Sequence, residues 1–487
     1  MSAARIGWPA VFVVAFILFV AVQMHLQVYG FASASSLDLW GRSLLAVARQ
    51  SPFRDVVTVY PPTALMGMII LDWLLPQLGP LTPAVLTAGL AATLAASWFT
   101  SLRTAGLGFG IASAATALLA LNPLFLRGIS QGAGFMLAAW GFWILATGMF
   151  NLRRRSRVND VMAVSFALFL LGTSGKVGLV FVLASLPFLA LVISPELIAK
   201  SPLGVYQVLL FPFVFASAGF LFVNLMFTGD PLHFVSLPGP SAFGASGNLA
   251  IAGASFHMVS LALAGTAAAC PIAIWGLVRF RRIGSLAQAS AATVGLLVAA
   301  ELLCWSFGIL PAPSLVASFG CVLAASTAEV CARYGRLQAI ILPSLFLGFV
   351  GGAGLAMVDF SNATARWRTA ALMRTVQAPD PVTEELGQQL RGKSGILFDA
   401  AAAPGVVAAR GSAVGIDASN SDAFQLAILT HRLSSEYVVV RNAEAREGAD
   451  ALGQAFPELF SHGAVDYRMI YDSPTWRIYQ LRAGPKQ

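Results

Sequence analysis

The chain has 487 residues, of which 57% are hydrophobic and 11% charged, with a formal net charge of +8. Soluble globular proteins carry charge on about a quarter of their residues, so this composition excludes an ordinary soluble protein and indicates that lipid solvates most of the chain. The basic residues stand in short groups between apolar runs, which is typical of topology determinants and argues against nucleic acid as a partner.

The distribution of charge divides the chain in two. From Gly7 to Phe360 charged residues are few and clustered, whereas from Arg366 onward they recur every few positions. We therefore predict a membrane domain over residues 1–360 and a water-facing domain over residues 361–487.

Cysteine usage gives no sign of a disulfide framework or a metal centre. The four cysteines lie in or at the edge of apolar runs, and no CxxC or Cys/His spacing occurs. We expect no metal and no cofactor. At the N-terminus, Arg5 precedes a long apolar run over residues 8–26, and no convincing small-residue cleavage site follows it, so we predict a retained first span.

The apolar runs predict an α-helical polytopic membrane protein. A span needs roughly 20 apolar residues, and on that basis the chain has about eleven transmembrane helices. The predicted spans are, in chain order, 8–29, 82–101, 108–126, 132–150, 159–174, 177–194, 203–226, 255–279, 286–310, 312–331 and 338–358. The segment 63–75 is also apolar, but it is short and bounded by prolines, and it is the one ambiguous element.

The basic groups decide the side of each loop, because loops rich in Lys and Arg remain in the cytoplasm. With the N-terminus inside and 63–75 not crossing, every basic group falls inside, whereas counting 63–75 as a span places all of them outside. The groups are Arg103, the 153–157 cluster, Lys200, the 279–282 cluster, Arg333 and Arg336. We therefore predict a multi-pass protein of a bacterial inner membrane, with 63–75 at the outer face and an extracytoplasmic C-terminus.

Two long hydrophilic segments then share the outer side, residues 30–62 and 227–254. Within the first, residues 37–50 carry apolar side chains at 37, 40, 44, 45 and 47, with polar ones between. This spacing predicts an amphipathic helix that lies on the membrane surface.

The tail, from about residue 366, alternates strand-like and helical runs and is predicted to form a small extracytoplasmic α/β domain. The predicted strands are 395–399, 437–440, 467–471 and 476–481, the last two forming a hairpin, and the predicted helices are 421–433 and 444–460. No sequence repeat and no clear broken midplane helix, the marks of many transporters, is evident.

Short motifs follow one another in a set order along residues 8–360. They are Asp38, Tyr60-Pro61-Pro62-Thr63, Leu78-Gly79-Pro80, Leu121-Asn122-Pro123-Leu124 with Arg127, and Thr173-Ser174-Gly175-Lys176-Val177-Gly178. This order resembles the GT-C membrane glycosyltransferases, in particular the protein-mannosyltransferase and aminoarabinose-transferase branch. That family has an acid and a Tyr/Lys-Pro-Pro-Leu element in its first outer loop, and commonly ends in an outward soluble domain.

The resemblance implies transfer of a sugar from a polyprenyl-phosphate donor, in the outer leaflet, to a glycan or lipid acceptor of the cell envelope. Such a reaction needs a base for the acceptor hydroxyl and cations for the departing phosphate. Asp38 is the expected base; its alternative role is a first-turn acid stabilised by the helix dipole. Lys176 and Arg127 are expected to contact phosphate. Their alternatives are snorkelling to the interface for Lys176 and interfacial anchoring for Arg127.

Three more residues complete the predicted substrate site. Asp55 is expected to orient the acceptor near Tyr60, and His233 to contact substrate from the second outer loop. The favoured interpretation of that loop is simpler, namely that Asp230-Pro231 makes a turn.

Two features inside predicted spans have their own interpretations. Glu301 would be costly unpaired, so it bonds a neighbouring helix or lines the cavity. Gly351-Gly352-Ala353-Gly354 predicts close helix packing rather than a phosphate loop.

One departure from the family pattern bears on mechanism. After Arg127 the family places a second acid, but residues 128–134 here contain no carboxylate. We therefore expect a mechanism without a metal ion. The alternative function is a non-catalytic membrane component, such as a flippase-like transporter or a scaffold of a polysaccharide export system. The missing acid favours that alternative, while the first loop and the exported tail favour the enzyme.

Overall fold

A computed structural model gives the fold and describes residues 2–51, 53–155, 157–193, 201–236, 256–281, 284–309, 312–444 and 450–482. Most of the second outer loop, Lys200 and Arg282 lie outside these residues. The helices up to residue 371 are α1 Ser2–Val28, α2 Ala34–Val47, α3 Phe53–Val57, α4 Pro62–Leu74, α5 Thr82–Thr104, α6 Phe109–Ala120, α7 Pro123–Ile129, α8 Ala133–Arg155, α9 Val158–Ser174, α10 Lys176–Val192, α11 Pro202–Thr228, α12 His233–Ser236, α13 Phe256–Ala269, α14 Pro271–Phe280, α15 Gly284–Ser306, α16 Pro313–Ala332, α17 Gln338–Val358 and α18 Asn362–Ala371.

The helices support a multi-pass membrane protein. Among the described residues, seven helices are long and apolar enough to cross a membrane, or up to nine if each of two bent pairs is one span. Each of the eleven predicted spans overlaps a helix or a bent pair. The two that fall short of a full span are α9 and α10, with 17 residues each.

Two helix pairs are broken, which the sequence analysis did not detect. The α6–α7 pair is bent by 61° and the α13–α14 pair by 74°. Proline is the first residue after each break, at Pro123 and Pro271, and a proline disfavours the helical conformation of the residue before it. At the first break, the Asn122 side chain accepts a hydrogen bond from Leu124 N at 3.0 Å and donates to Gly348 O at 3.1 Å. The Asn122 side chain thus satisfies a backbone N–H that the break exposes and also bonds α17.

By packing, the chain forms two compact units, and unit 1 comprises residues 1–31, 84–220 and 248–376. Helix α16 is buried along its whole length within it. Because α16 is apolar on all sides, it is suited to such a central position. Aromatic rings fill the space around it, with the Phe181 and Phe319 centroids 4.6 Å apart.

Glycines of α17 allow close helix approach in unit 1, as predicted. A Cβ at Gly348 or Gly351 would overlap the backbone of α13, and one at Gly352 would overlap the Asn122 side chain. Small residues at these positions therefore let the helix backbones meet.

Unit 2 comprises residues 32–83, 221–247 and 377–487 and contains a five-stranded sheet of order β2-β1-β3-β5-β4. Its strands are β1 Ile396–Leu397, β2 Ile416–Asp417, β3 Tyr437–Arg441, β4 Tyr467–Asp472 and β5 Trp476–Leu481. Strands β2, β1 and β3 are parallel, while β5 pairs antiparallel with β3 and β4. The β4–β5 hairpin and the buried β3 agree with the prediction, and β1 is shorter than expected.

The helices of the tail are α19 Pro381–Gln389, α20 Pro404–Arg410, α21 Asp422–Thr430, α22 Ala451–Ala455 and α23 Leu459–His462. The predicted helix 421–433 ends at Thr430, because His431 adopts a left-handed conformation with φ 50°. The predicted continuous helix 444–460 is wrong. Pro457 separates α22 from α23, and residues 445–449 lie outside the described chain.

The predicted amphipathic helix of the first loop exists as α2, spanning Ala34–Val47, and part of its apolar stripe packs on protein within unit 2. Leu45 joins a core with Leu386, Ile396 and Val406 of the tail. A Cβ at Gly41 would overlap the Pro404 carbonyl, so α2 and α20 are in close contact. The α/β domain therefore covers Leu45 and part of Leu44, whereas Val47 of the same stripe remains exposed.

Candidate functional site

The first candidate centre lies in unit 1, at the end of the broken α6–α7 pair. After the break, α7 carries Arg127, which is 1% exposed. The guanidinium carbon of Arg127 is 5.7 Å from the Phe31 ring centroid, and that of Arg366 on α18 is 5.8 Å from the same centroid. Trp367 donates a hydrogen bond to the Ser130 hydroxyl at 3.0 Å, which holds α18 beside the end of α7. Two guanidiniums thus share one aromatic ring.

The positive charge of the Arg127 side chain has few compensating contacts in this centre. Its Nη1 reaches Gln131 Oε1 only at 3.5 Å, and its Nε has no hydrogen-bond partner among the described residues. The carboxylate that acts on Arg127 most strongly is Asp359, but no ion pair within 4 Å joins the two in the described chain.

Asp359 is instead held by hydroxyl and backbone donors. Its carboxylate accepts from Ser314 N at 3.0 Å, Ser361 N at 2.9 Å and Thr364 Oγ1 at 2.9 Å. Burial alone would raise the pKa of Asp359, but these hydrogen bonds outweigh it and hold the pKa below the ordinary value. Asp359 is therefore ionised and already satisfied by these neighbours.

Contact with Phe31 does not offset the cost of burying Arg127. A cation–π contact contributes about 0.5–2 kcal/mol, whereas removing a guanidinium from water costs several kcal/mol. The centre therefore has the chemistry of an anion site, and a guanidinium fork suits phosphate.

The second candidate centre lies in unit 2, on α2. Asp38 is 1% exposed, and Arg42 Nε lies 3.3 Å from its Oδ2, one helical turn away. Asp38 is the fifth residue of α2, and the first turn holds no acid, so the alternative of a first-turn acid is wrong. The charged side chain next to Asp38 on α2 is therefore that of Arg42, a cation.

A small cleft in unit 2 connects this ion pair with a second predicted residue. It is lined by Arg42, Leu45, Ser51, Asp55, Val56, Leu65 and Ala401. Its open space is about 10 Å³, which is room for one water molecule and too little for a sugar ring. Asp55 also pairs with Arg54 at 3.0 Å. The structure therefore brings Asp55 and the partner of Asp38 to one cleft.

Asp399 adds a buried carboxyl near this cleft. It follows β1, and its Oδ2 accepts from Ala451 N at 2.9 Å. Burial raises the pKa of Asp399, and the negative charge of Asp55 contributes to that rise. The position directly after a parallel strand is a sequence signal for such a residue, because ligands bind at the carboxyl ends of parallel strands.

The structure also shows the surroundings of Tyr60, Asp230 and Lys176. Tyr60 is buried, and its ring centroid is 5.8 Å from that of Phe234, the neighbour of His233 at the start of α12. Asp230 Oδ1 accepts from Leu232 N at 2.9 Å, so Asp230 makes a turn as expected. Lys176 is half-buried and begins α10.

The predicted site residues divide between the units. Arg127 and Lys176 belong to unit 1, whereas Asp38, Asp55, Tyr60 and His233 belong to unit 2. Arg42 was not predicted from the sequence, although its i,i+4 spacing from Asp38 indicates an ion pair. Arg366 and Phe31 were not predicted either, and no local signal exists for them.

Within the described chain, no group of three or more His, Cys, Asp or Glu side chains is arranged to hold a metal ion. Neither a family model nor a curated protein sequence matches the chain significantly.

Proposed function

We propose that the protein is a GT-C-type glycosyltransferase of a bacterial inner membrane. It transfers a sugar from a polyprenyl-phosphate donor to a cell-envelope glycan or lipid acceptor. The observation that carries the proposal is Arg127, a fully buried guanidinium with a free Nε, placed with Arg366 on one aromatic ring. A departing phosphate is the anion that this arrangement suits.

The proposed chemistry is a single displacement. The acceptor oxygen attacks the anomeric carbon, the bond from that carbon to the phosphate oxygen breaks, and the acceptor proton passes to a base, for which the family resemblance proposes Asp38. Arg127 and Arg366 stabilise the negative charge that develops on the phosphate. Because Asp38 is buried, the acceptor reaches it only when residues around it move aside.

Substitution of Asp38 tests the base. Asp38→Asn lowers transfer by about 100-fold or more, measured with a polyprenyl-phosphate sugar donor and the purified protein. This variant also leaves Arg42 buried without its carboxylate, at about 3–5 kcal/mol. The double variant Asp38→Asn/Arg42→Gln removes both charges, so it recovers stability but stays inactive. Asp466→Asn, at an exposed acid, is the matched control.

Substitution of Arg127 tests the phosphate contact in the same assay. Arg127→Gln lowers transfer, whereas Arg374→Gln, at an exposed arginine, leaves it unchanged. We expect transfer to survive EDTA. Full transfer by Asp38→Asn with the cognate donor would refute the base, and loss of transfer on chelation would refute the metal-independent mechanism.

A flippase-like transporter is the second candidate, and the two broken helix pairs favour it. Discontinuous helices form the substrate sites of many transporters. Reconstituted liposomes distinguish the two functions. A transporter moves a lipid-linked sugar between leaflets and leaves its glycosyl bond intact, whereas the transferase consumes the donor.

A further inference from the structure

A basic cavity lies in unit 1 where three helices end. It has a volume of about 530 Å³ and is lined by Thr104, Arg154, Arg155, Arg333 and Tyr334. Thr104 closes α5, the two adjacent arginines close α8, and Arg333 with Tyr334 follows α16. Its volume falls in the range of about 300–1,000 Å³ that small-molecule sites occupy.

The cavity has unbalanced positive charge. Arg333 forms an ion pair with Glu329 one turn earlier. Arg154 and Arg155 form no ion pair or hydrogen bond with any residue that the structure describes. With Arg157 and Asp160, whose charges also act on Arg155, four positive and two negative charges leave an excess of about two positive charges at and beside the cavity.

Two simpler explanations account for part of this arrangement. Cations at helix C-termini interact favourably with the helix dipole, at about 0.3–1 kcal/mol each, and basic residues at span ends set topology. Neither effect requires arginines from two helices to line one cavity. A bound anion accounts for it, because several guanidiniums can then share its charge.

We infer that this cavity binds a phosphate-bearing ligand with about two negative charges, either an anionic lipid head group or a soluble diphosphate. Basic pockets of this kind, at the cytoplasmic ends of membrane helices, recognise lipid phosphates. The cavity is distinct from the Arg127 centre. The two lie at opposite ends of α8, whose 23 residues span roughly 33 Å.

Ligand-dependent stability of the purified full-length protein in detergent tests the inference. Cardiolipin or inorganic pyrophosphate raises the unfolding temperature in a saturable manner, and phosphatidylcholine does not. Arg154→Gln/Arg155→Gln weakens the affinity by about tenfold or more. The matched control is Arg281→Gln/Arg374→Gln, which removes two exposed arginines outside the cavity and leaves the affinity within about twofold.

A second variant tests ligand binding without removing either arginine. Thr104→Glu places a carboxylate at the cavity from an exposed position and also abolishes binding. Stabilisation by cardiolipin alone identifies a lipid head group as the ligand, and stabilisation by pyrophosphate identifies a soluble one. The inference is overturned if neither ligand stabilises the protein, or if both double variants lose affinity equally. It is also overturned if Thr104→Glu binds like the unmodified protein.

Discussion

At the residue scale, both units contain buried ionisable groups, which an entirely apolar core would not contain. In unit 1, Arg127 is buried with a free Nε, while Asp359 beside it is fully hydrogen-bonded. In unit 2, Asp38 and Arg42 bury opposite charges one helical turn apart. Buried charges contribute little to stability for their cost, so their presence points to function or to specificity of packing.

Asp450 gives a prediction on pH dependence. Burial, and then the nearby charge of Asp399, raises the pKa of Asp450 to about 7. The folded state therefore binds this proton more tightly than the unfolded state. As a result, the contribution of Asp450 to the free energy of unfolding is largest at acid pH and falls as the pH rises from about 4 to about 7, by up to about 1.4 kcal/mol per pH unit.

Asp450→Asn keeps the helix cap on Gly453 N and removes the titration. The variant is more stable than the unmodified protein at pH 8 and equal to it near pH 4. Hydrogen exchange of the β3 amides, compared between the two proteins at each pH, measures the difference. Asp422→Asn, at the exposed start of α21, is the control. An equal exchange rate for Asp450→Asn at pH 8 would contradict the prediction.

At the element scale, the distance between packed helices decides which glycines tolerate replacement by alanine. A Cβ at Gly351 would overlap the Ala268 backbone, which cannot move without shifting α13, whereas a Cβ at Gly354 meets nothing within 4 Å. Gly351→Ala therefore destabilises unit 1 by about 1–3 kcal/mol, and Gly354→Ala is neutral or slightly stabilising. Thermal unfolding in detergent measures both. Equal unfolding temperatures would show that α13 and α17 do not pack as closely as described.

At the scale of the whole molecule, the topology is open to a direct test. The eleven predicted crossings are an odd number, so they place the two termini on opposite sides of the membrane. The basic groups predict the N-terminus inside. A C-terminal alkaline phosphatase fusion is therefore active and a green fluorescent protein fusion is dark. The reverse pattern would overturn the predicted sidedness.

The sequence by itself determined the helical membrane character, the place of each apolar run and the α/β nature of the tail. These depend on local composition and periodicity, which a single chain displays directly. Hairpin β4–β5 was predictable for the same reason, because its strands and turn are adjacent in sequence. The motif resemblance supplied the candidate residues, and their roles remain predictions.

Only the tertiary structure decided what covers each apolar face and which charges meet. The stripe on α2 is apolar whether lipid or protein covers it, and only the structure shows that Leu45 of this stripe packs on the tail. Arg127 and Arg366 are 239 positions apart in sequence, yet they share the Phe31 ring. Such long-range contacts have no periodicity, since they arise from helix packing rather than from local backbone preference.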